Sequence, residues 1–128
     1  MKPEIFTFCD FAQENGGKLT IIGTFDTIIT RSFPCVHPQL FVVIRMRFNI
    51  GEFNIHSFRI EAVDLDGANC MKPLTGSINV KSAGNATAVS HFFFAVNNMC
   101  FNNPGVTNFV LYIDDREISS IPLYVRKG

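Results

Sequence analysis

The run Gln39–Asn49 constrains the fold of this chain more than any other stretch. Strand side chains repeat every two residues, so alternate positions of an extended segment share a face. One face of this run is apolar throughout, with Leu40, Val42, Ile44, Met46 and Phe48. The other face changes from Phe41 and Val43 to Arg45, Arg47 and Asn49. This pattern predicts a central strand that is covered on both faces at one end and reaches water at the other.

Length and charge narrow the class of protein. The chain has 128 residues, of which 47% are hydrophobic and 17% charged, and this size predicts a single domain over residues 1–128 with a substantial core. Lys plus Arg and Asp plus Glu number 11 each. A chain without basic excess is a poor match for a nucleic-acid-binding protein, because phosphates are neutralised by Lys and Arg.

The N-terminal residues and the cysteines indicate the cellular compartment of the protein. Met1–Phe8 contains no apolar signal region, and the longest apolar run, His91–Val96, has only the length of a strand. The sequence therefore predicts a cytoplasmic protein that does not contact a membrane, with its four cysteines as free thiols.

Turn residues recur about every ten positions between apolar stretches, and no long segment has a 3.6-residue period. Clear turn signals are Asn15-Gly16-Gly17, Asp66-Gly67 and Asp114-Asp115-Arg116. Thr87–Asn97 is apolar on both sides and is interpreted as a second buried strand. Together these features predict an all-β fold, a single antiparallel Greek-key β-sandwich of about eight strands.

A hairpin register follows from the apolar faces of two neighbouring segments. Even positions are apolar from Leu40 to Phe48 and again from His56 to Ala62. Opposed residues share a face, so this matching predicts the pairs Phe48–Asn54, Met46–His56, Ile44–Phe58 and Val42–Ile60. A three-residue loop, Ile50–Glu52, with Gly51 left-handed would supply the odd-length connection.

The same register predicts that Arg45, Arg47 and Arg59 share an outer face. Three guanidinium groups there would bind a carboxylate or phosphate of a partner. The alternative is a solvated face on which Glu61 pairs with the arginines.

Two other groups are candidates for chemistry. Asp64, Asp66 and Asp114 would bind calcium if their loops met at one end, although the distal ligands of an EF-hand are missing. Cys35 and His37 would form a nucleophile and base if they were hydrogen-bonded beside a cleft. No paired zinc ligands, phosphate loop or nucleophile-elbow motif is present, so the sequence predicts no cofactor and no enzyme activity.

Two parts of the chain carry a combination of residues found together in a known family. The first comprises Phe8–Ala12, Gly17–Asp26, Phe33-Pro34 and His37-Pro38, and the second comprises Pro104-Gly105, Tyr112–Asp114 and Ile121–Leu123. With these residues the chain resembles a family of small uncharacterised bacterial proteins. The resemblance implies a compact immunoglobulin-like sandwich of unknown function and brings no catalytic residues.

The sequence thus favours a non-enzymatic binding or assembly module that contacts an unknown protein or a second copy of itself as a homodimer. The edge strands of a sandwich present unpaired backbone groups that another strand can bind, and a net charge of zero permits self-association. The alternative is a small-molecule or calcium-binding sandwich that uses the loops at one end.

Overall fold

Nine strands and one 3₁₀ turn make up the computed structural model, which describes residues 1–128. The strands are β1 (Lys2–Asn15), β2 (Lys18–Phe25), β3 (Thr27–Thr30), β4 (Cys35–Asn49), β5 (Ile55–Val63), β6 (Leu74–Asn79), β7 (Thr87–Phe101), β8 (Gly105–Ile113) and β9 (Arg116–Lys127). The 3₁₀ turn spans Ile50–Glu52 and joins β4 to β5. No helical segment has the length and hydropathy that crossing a bilayer requires.

The strands form a four-stranded sheet, in the order β2-β1-β4-β7, and a five-stranded sheet, in the order β3-β9-β8-β5-β6. The all-β prediction is therefore confirmed, with one strand more than the eight expected. One pair departs from the expected antiparallel arrangement, because β3 runs parallel to β9. Pro122 lies in β9 before this pairing begins at Tyr124, as expected for a residue that has no backbone donor.

The prediction for β4 is confirmed. It pairs with β1 along one side and with β7 along the other. Its inward side chains are fully buried: Leu40, Val42, Ile44, Met46 and Phe48 are all 0% exposed. They belong to one core cluster with Ile60 of β5 and with Phe109 and Leu111 of β8, so the main core fills the space between the sheets.

The predicted β4–β5 hairpin is wrong. β4 and β5 lie in different sheets, and the pairs Phe48–Asn54, Met46–His56, Ile44–Phe58 and Val42–Ile60 do not form. Matching faces cannot distinguish neighbouring strands from strands that face each other, because both arrangements direct even positions into one core. Ile50–Glu52 forms a 3₁₀ turn, and Gly51 does not have the left-handed conformation that the hairpin required.

The β1–β2 hairpin covers part of the outer face of the four-stranded sheet. Ala12 is buried in a second apolar cluster with Cys9 and Val43, which Leu19 and Ile21 also contact. At its far end, a Glu14 carboxylate oxygen lies 3.5 Å from Nε2 of His91 on β7. Because β1 pairs with β4 only as far as Cys9, these contacts require the hairpin to fold back across the sheet.

Candidate functional site

Strand β7 has a free edge along its whole length. It pairs with β4 from Thr87 to Phe101, and no strand lies on its other side. The predicted strand at Thr87–Asn97 is confirmed and extends four residues further, to Phe101. Its expected burial is wrong, because the side chains from Val89 to Phe94 are only partly buried. An edge strand presents a row of unpaired N–H and C=O groups, and this makes it a template for another strand.

The side chains of β7 are unusual for an exposed edge. Proteins normally protect edges with Lys, Pro or a short strand, yet residues 87–101 contain no Lys, Arg, Asp, Glu or Pro. Three consecutive phenylalanines lie in its middle and remain partly exposed. On the core side the Phe92 ring stacks on Phe58 with centroids 4.6 Å apart, while on the outer side Phe93 lies 6.4 Å from Phe41. Apolar surface therefore continues to the edge on both faces.

Arg45 and Arg47 lie together on the outer face of the four-stranded sheet. Both arginines bind the carboxylate of Glu4 on β1. Nε of Arg45 lies 3.0 Å from Oε1 of Glu4, and Nε of Arg47 lies 2.7 Å from Oε2. Hydrogen bonds from Arg47, which has the larger effect, and from Arg45 lower the pKa of Glu4 to about 2. The carboxylate is thus ionised whenever the protein is folded near neutral pH, and it occupies donors that a partner would need.

Arg59 is on the opposite side of the molecule. It lies on β5 in the other sheet, where it pairs with Glu61 at 3.2 Å and Asp115 at 2.9 Å. Its guanidinium also lies 4.2 Å from the centre of the Tyr112 ring. The predicted patch of three arginines is therefore wrong, because it depended on β4 and β5 being neighbours.

The three aspartates of the calcium candidate do not meet. Asp64 and Asp66 follow β5, whereas Asp114 follows β8, and these antiparallel strands bring the two positions to opposite ends of the sheet. Oδ1 of Asp64 accepts hydrogen bonds from the backbone N–H groups of Asp66 and Ala68, both at 2.9 Å. No group of three or more metal-ligating side chains occurs in the chain.

Asp64 and Asp66 instead line a concavity of about 510 Å³ at one end of the molecule. The other polar residues around it include Asn69, Asn102, Asn103 and Thr107. No Lys, Arg or His contributes to its lining. This volume lies in the usual range for small-molecule sites, and the lining disfavours an anionic ligand.

Cys35 and His37 share one side of β4, but no hydrogen bond joins the thiol to the imidazole. The His37 ring instead lies 5.9 Å from Phe25. All four cysteines are unpaired. The geometry that would activate Cys35 as a nucleophile is therefore not formed here.

The family comparison covers nearly the whole chain. Residues 4–126 match a family of unknown function, DUF6941. The chain belongs to this family. No curated protein and no solved structure matches it. Membership in DUF6941 agrees with the resemblance to an uncharacterised family, while it adds no ligand, partner or reaction.

In this member of DUF6941 the sequence pattern does not reveal that β7 lies at the edge of a sheet. A run that is apolar on both sides fits a central strand as well as an uncovered edge, and only strand order separates them. The distinguishing signal is an absence: central β4 carries Arg45 and Arg47, whereas the edge strand β7 contains no Lys, Arg, Asp or Glu. On the same strand, the buried Nδ1 of His91 has no hydrogen-bond partner.

Proposed function

We propose that this chain is a non-enzymatic, cytoplasmic binding or assembly module that accepts a partner strand along the free edge of β7. The observation that carries the proposal is an edge of 15 residues that contains no Lys, Arg, Asp, Glu or Pro. Strand addition gives affinity through backbone hydrogen bonds and specificity through alternate side chains. The unpaired state of all four thiols supports a reducing compartment.

The immunoglobulin-like, Greek-key description of the sandwich belongs to the same proposal. Its support is that the chain changes sheet repeatedly, and that β1 and β4, β4 and β7, and β5 and β8 are antiparallel neighbours without being consecutive. An experimental structure with a different strand order would remove this description.

Two matched substitutions test the binding edge. Ala95 is exposed on β7 and Ala68 is exposed in the β5–β6 loop, so Ala95→Lys and Ala68→Lys make the same chemical change on and off the edge. Lys is a residue with which natural edge strands block the addition of another strand.

Each variant and the wild type would be used as bait for proteins from the native host. We expect Ala95→Lys to lose the partners that wild type and Ala68→Lys retain. Equal retention by all three baits would show that β7 is not the binding edge.

A second candidate function is small-molecule binding in the concavity beside Asp64 and Asp66. The observation in its favour is a pocket of about 510 Å³ with two carboxylates, several side-chain amides and no cation in its lining. This chemistry suits a neutral or cationic ligand with several hydrogen-bond donors. The calcium version has less support, since Oδ1 of Asp64 is already bonded to two backbone N–H groups.

Nuclear magnetic resonance titration tests this second candidate. A panel of neutral sugars and spermidine would be added to the labelled protein, together with Asp66→Ala and the control Asp115→Ala at the other end of the sandwich. Saturable shifts in residues 64–70 and 102–107 that weaken only in Asp66→Ala would support a ligand site. The absence of saturable shifts with every probe would refute binding of these ligand classes.

A further inference from the structure

The strand that pairs with β7 is, we propose, β7 of a second copy of this chain, so that two four-stranded sheets join into one continuous eight-stranded sheet. This inference rests on the proposed function, because it names the partner of the same edge. A closed two-fold dimer removes both free β7 edges at once, whereas a single added strand from a peptide leaves another edge exposed.

Charge favours a second copy over an unrelated strand. β7 has no ionised Lys, Arg, Asp or Glu, so two antiparallel copies place no like charges opposite each other. The formal net charge of the chain is zero, and no long-range repulsion opposes the approach of two copies. A strand with complementary charges would gain nothing at this edge, because β7 offers none to complement.

The aromatic residues indicate a register. In an antiparallel pair, opposed residues share a face, so residue numbers in the two copies must add to an even sum for the cores to join. A two-fold axis through Phe93 places Phe92 of each copy opposite Phe94 of the other. All three partly exposed phenylalanines then pair with phenylalanines, and cross-strand aromatic pairs are among the favourable ones in sheets.

In this register Val89–Asn97 of the two copies pair, before Asn98, which has a φ of 54°. Nine paired residues span about 30 Å at the rise of a strand. Two sheets packed about 10 Å apart, together with their outer side chains, give the interface a width of about 20 Å. Its area is therefore on the order of 600 Å² per copy, at the low end of stable interfaces. We therefore expect a reversible dimer with a dissociation constant in the micromolar range.

Sedimentation velocity of the untagged chain tests this proposal, over about 1 to 200 µM so that the range brackets a micromolar dissociation constant. The samples are wild type, Ala95→Lys and the matched control Ala68→Lys, each checked for folding by its thermal transition. We expect wild type and Ala68→Lys to pass from one chain of 14.3 kDa to two as concentration rises. Ala95→Lys should remain monomeric, with dimer affinity reduced at least about tenfold, because Lys on an edge strand opposes the addition of another strand.

Hydrogen exchange of the wild type at low and high concentration keeps the proposal falsifiable if Ala95→Lys fails to fold. Amides within Val89–Asn97 should become more protected in the dimer. A wild type that is monomeric at the highest concentration overturns self-pairing and leaves another protein as the strand donor. A dimer whose β7 amides gain no protection overturns self-pairing through β7, because the two copies then meet at another surface.

Discussion

Nδ1 of His56 lies 2.6 Å from Oδ2 of Asp114, although 58 positions separate the two residues. The other ring nitrogen of His56 lies 2.7 Å from the backbone carbonyl oxygen of Glu52. Both neighbours are acceptors, so both nitrogens donate and the ring is an imidazolium. The buried cation thus ties the 3₁₀ turn after β4 to the turn between β8 and β9. Because Nε2 is already bonded to Glu52, the pair is a structural clamp and has no free nitrogen to act as a base.

The first prediction concerns this clamp. Asp114 has a φ of 52°, a conformation that Asn tolerates well, so Asp114→Asn keeps the turn. It removes the negative charge and one of the two carboxylate oxygens that accept from His56 and from the Ser57 N–H. We expect the free energy of unfolding to fall by about 1–3 kcal/mol, because the buried His56 ring loses the carboxylate that accepts from Nδ1 and balances its charge. Urea unfolding measures the change. The control is Asp115→Asn, which also retains a left-handed turn residue but affects an exposed ion pair with Arg59, and it should lower the free energy of unfolding by less than Asp114→Asn does.

The second prediction is a stability maximum in mildly acidic solution. Burial opposes the charge on His56, but hydrogen bonds to the Glu52 carbonyl and the Asp114 carboxylate prevail and raise its pKa above 6.5. Its contribution is complete below pH 6.5 and is lost as pH rises through the raised value. Hydrogen bonding to His56 lowers the pKa of Asp114 below 3.8, and this contribution is lost as pH falls through the lowered value.

The free energy of unfolding should therefore be greatest between about pH 5 and 6.5 and should decline on both sides. Chemical denaturation across a pH series measures this profile. The Asp114→Asn variant should have a shallower decline on the alkaline side, because a main cause of the raised His56 pKa is removed. A wild-type stability that keeps rising above pH 7 would contradict the assignment of His56 as a cation.

The third prediction concerns Gly23, which has a φ of 69° beside Asp10. A Cβ at this position would lie 2.5 Å from Oδ2 and 3.0 Å from Cγ of Asp10. Gly67 also has a positive φ, of 82°, but a Cβ there meets nothing within 4 Å. Gly67→Ala should cost about 1–2 kcal/mol from its backbone conformation alone. Gly23→Ala should cost more, and part of the excess should disappear when Asp10→Ala is added.

The fourth prediction separates the cysteines by reactivity. Cys70 and Cys100 are exposed, Cys35 is half-buried and Cys9 is fully buried. Burial also raises the pKa of the Cys9 thiol, so little reactive thiolate forms at neutral pH. Peptide mass mapping of samples quenched during iodoacetamide treatment should show modification of Cys70 and Cys100 first and of Cys9 last. Modification of Cys9 at the rate of Cys70 would show that the β1–β2 hairpin opens readily over the outer face.

Much of the local structure could be predicted because its causes are local. Alternation along Leu40–Phe48 identified the buried face of β4 without any knowledge of its neighbours. The turns at Gly16-Gly17 and Asp114-Asp115 form where small or polar residues accept positive φ. The burial of His56 also followed from its place in an apolar alternation, although its partner Asp114 did not.

By itself, the sequence determined that the chain extends into strands, which side chains enter a core and where the chain turns. Those properties depend on period-two patterning and on the backbone preferences of Gly, Asn and Asp. Only the tertiary structure decided which strands are neighbours. The order of strands is set by pairing between segments that are distant in the sequence, and an apolar face does not specify which segments pair. Only the structure shows that β5 faces β4 across the core and that β7 lies at an edge. For the same reason Arg59 is separated from Arg45 and Arg47, and the candidate binding surface is a strand that the sequence pattern had suggested was covered.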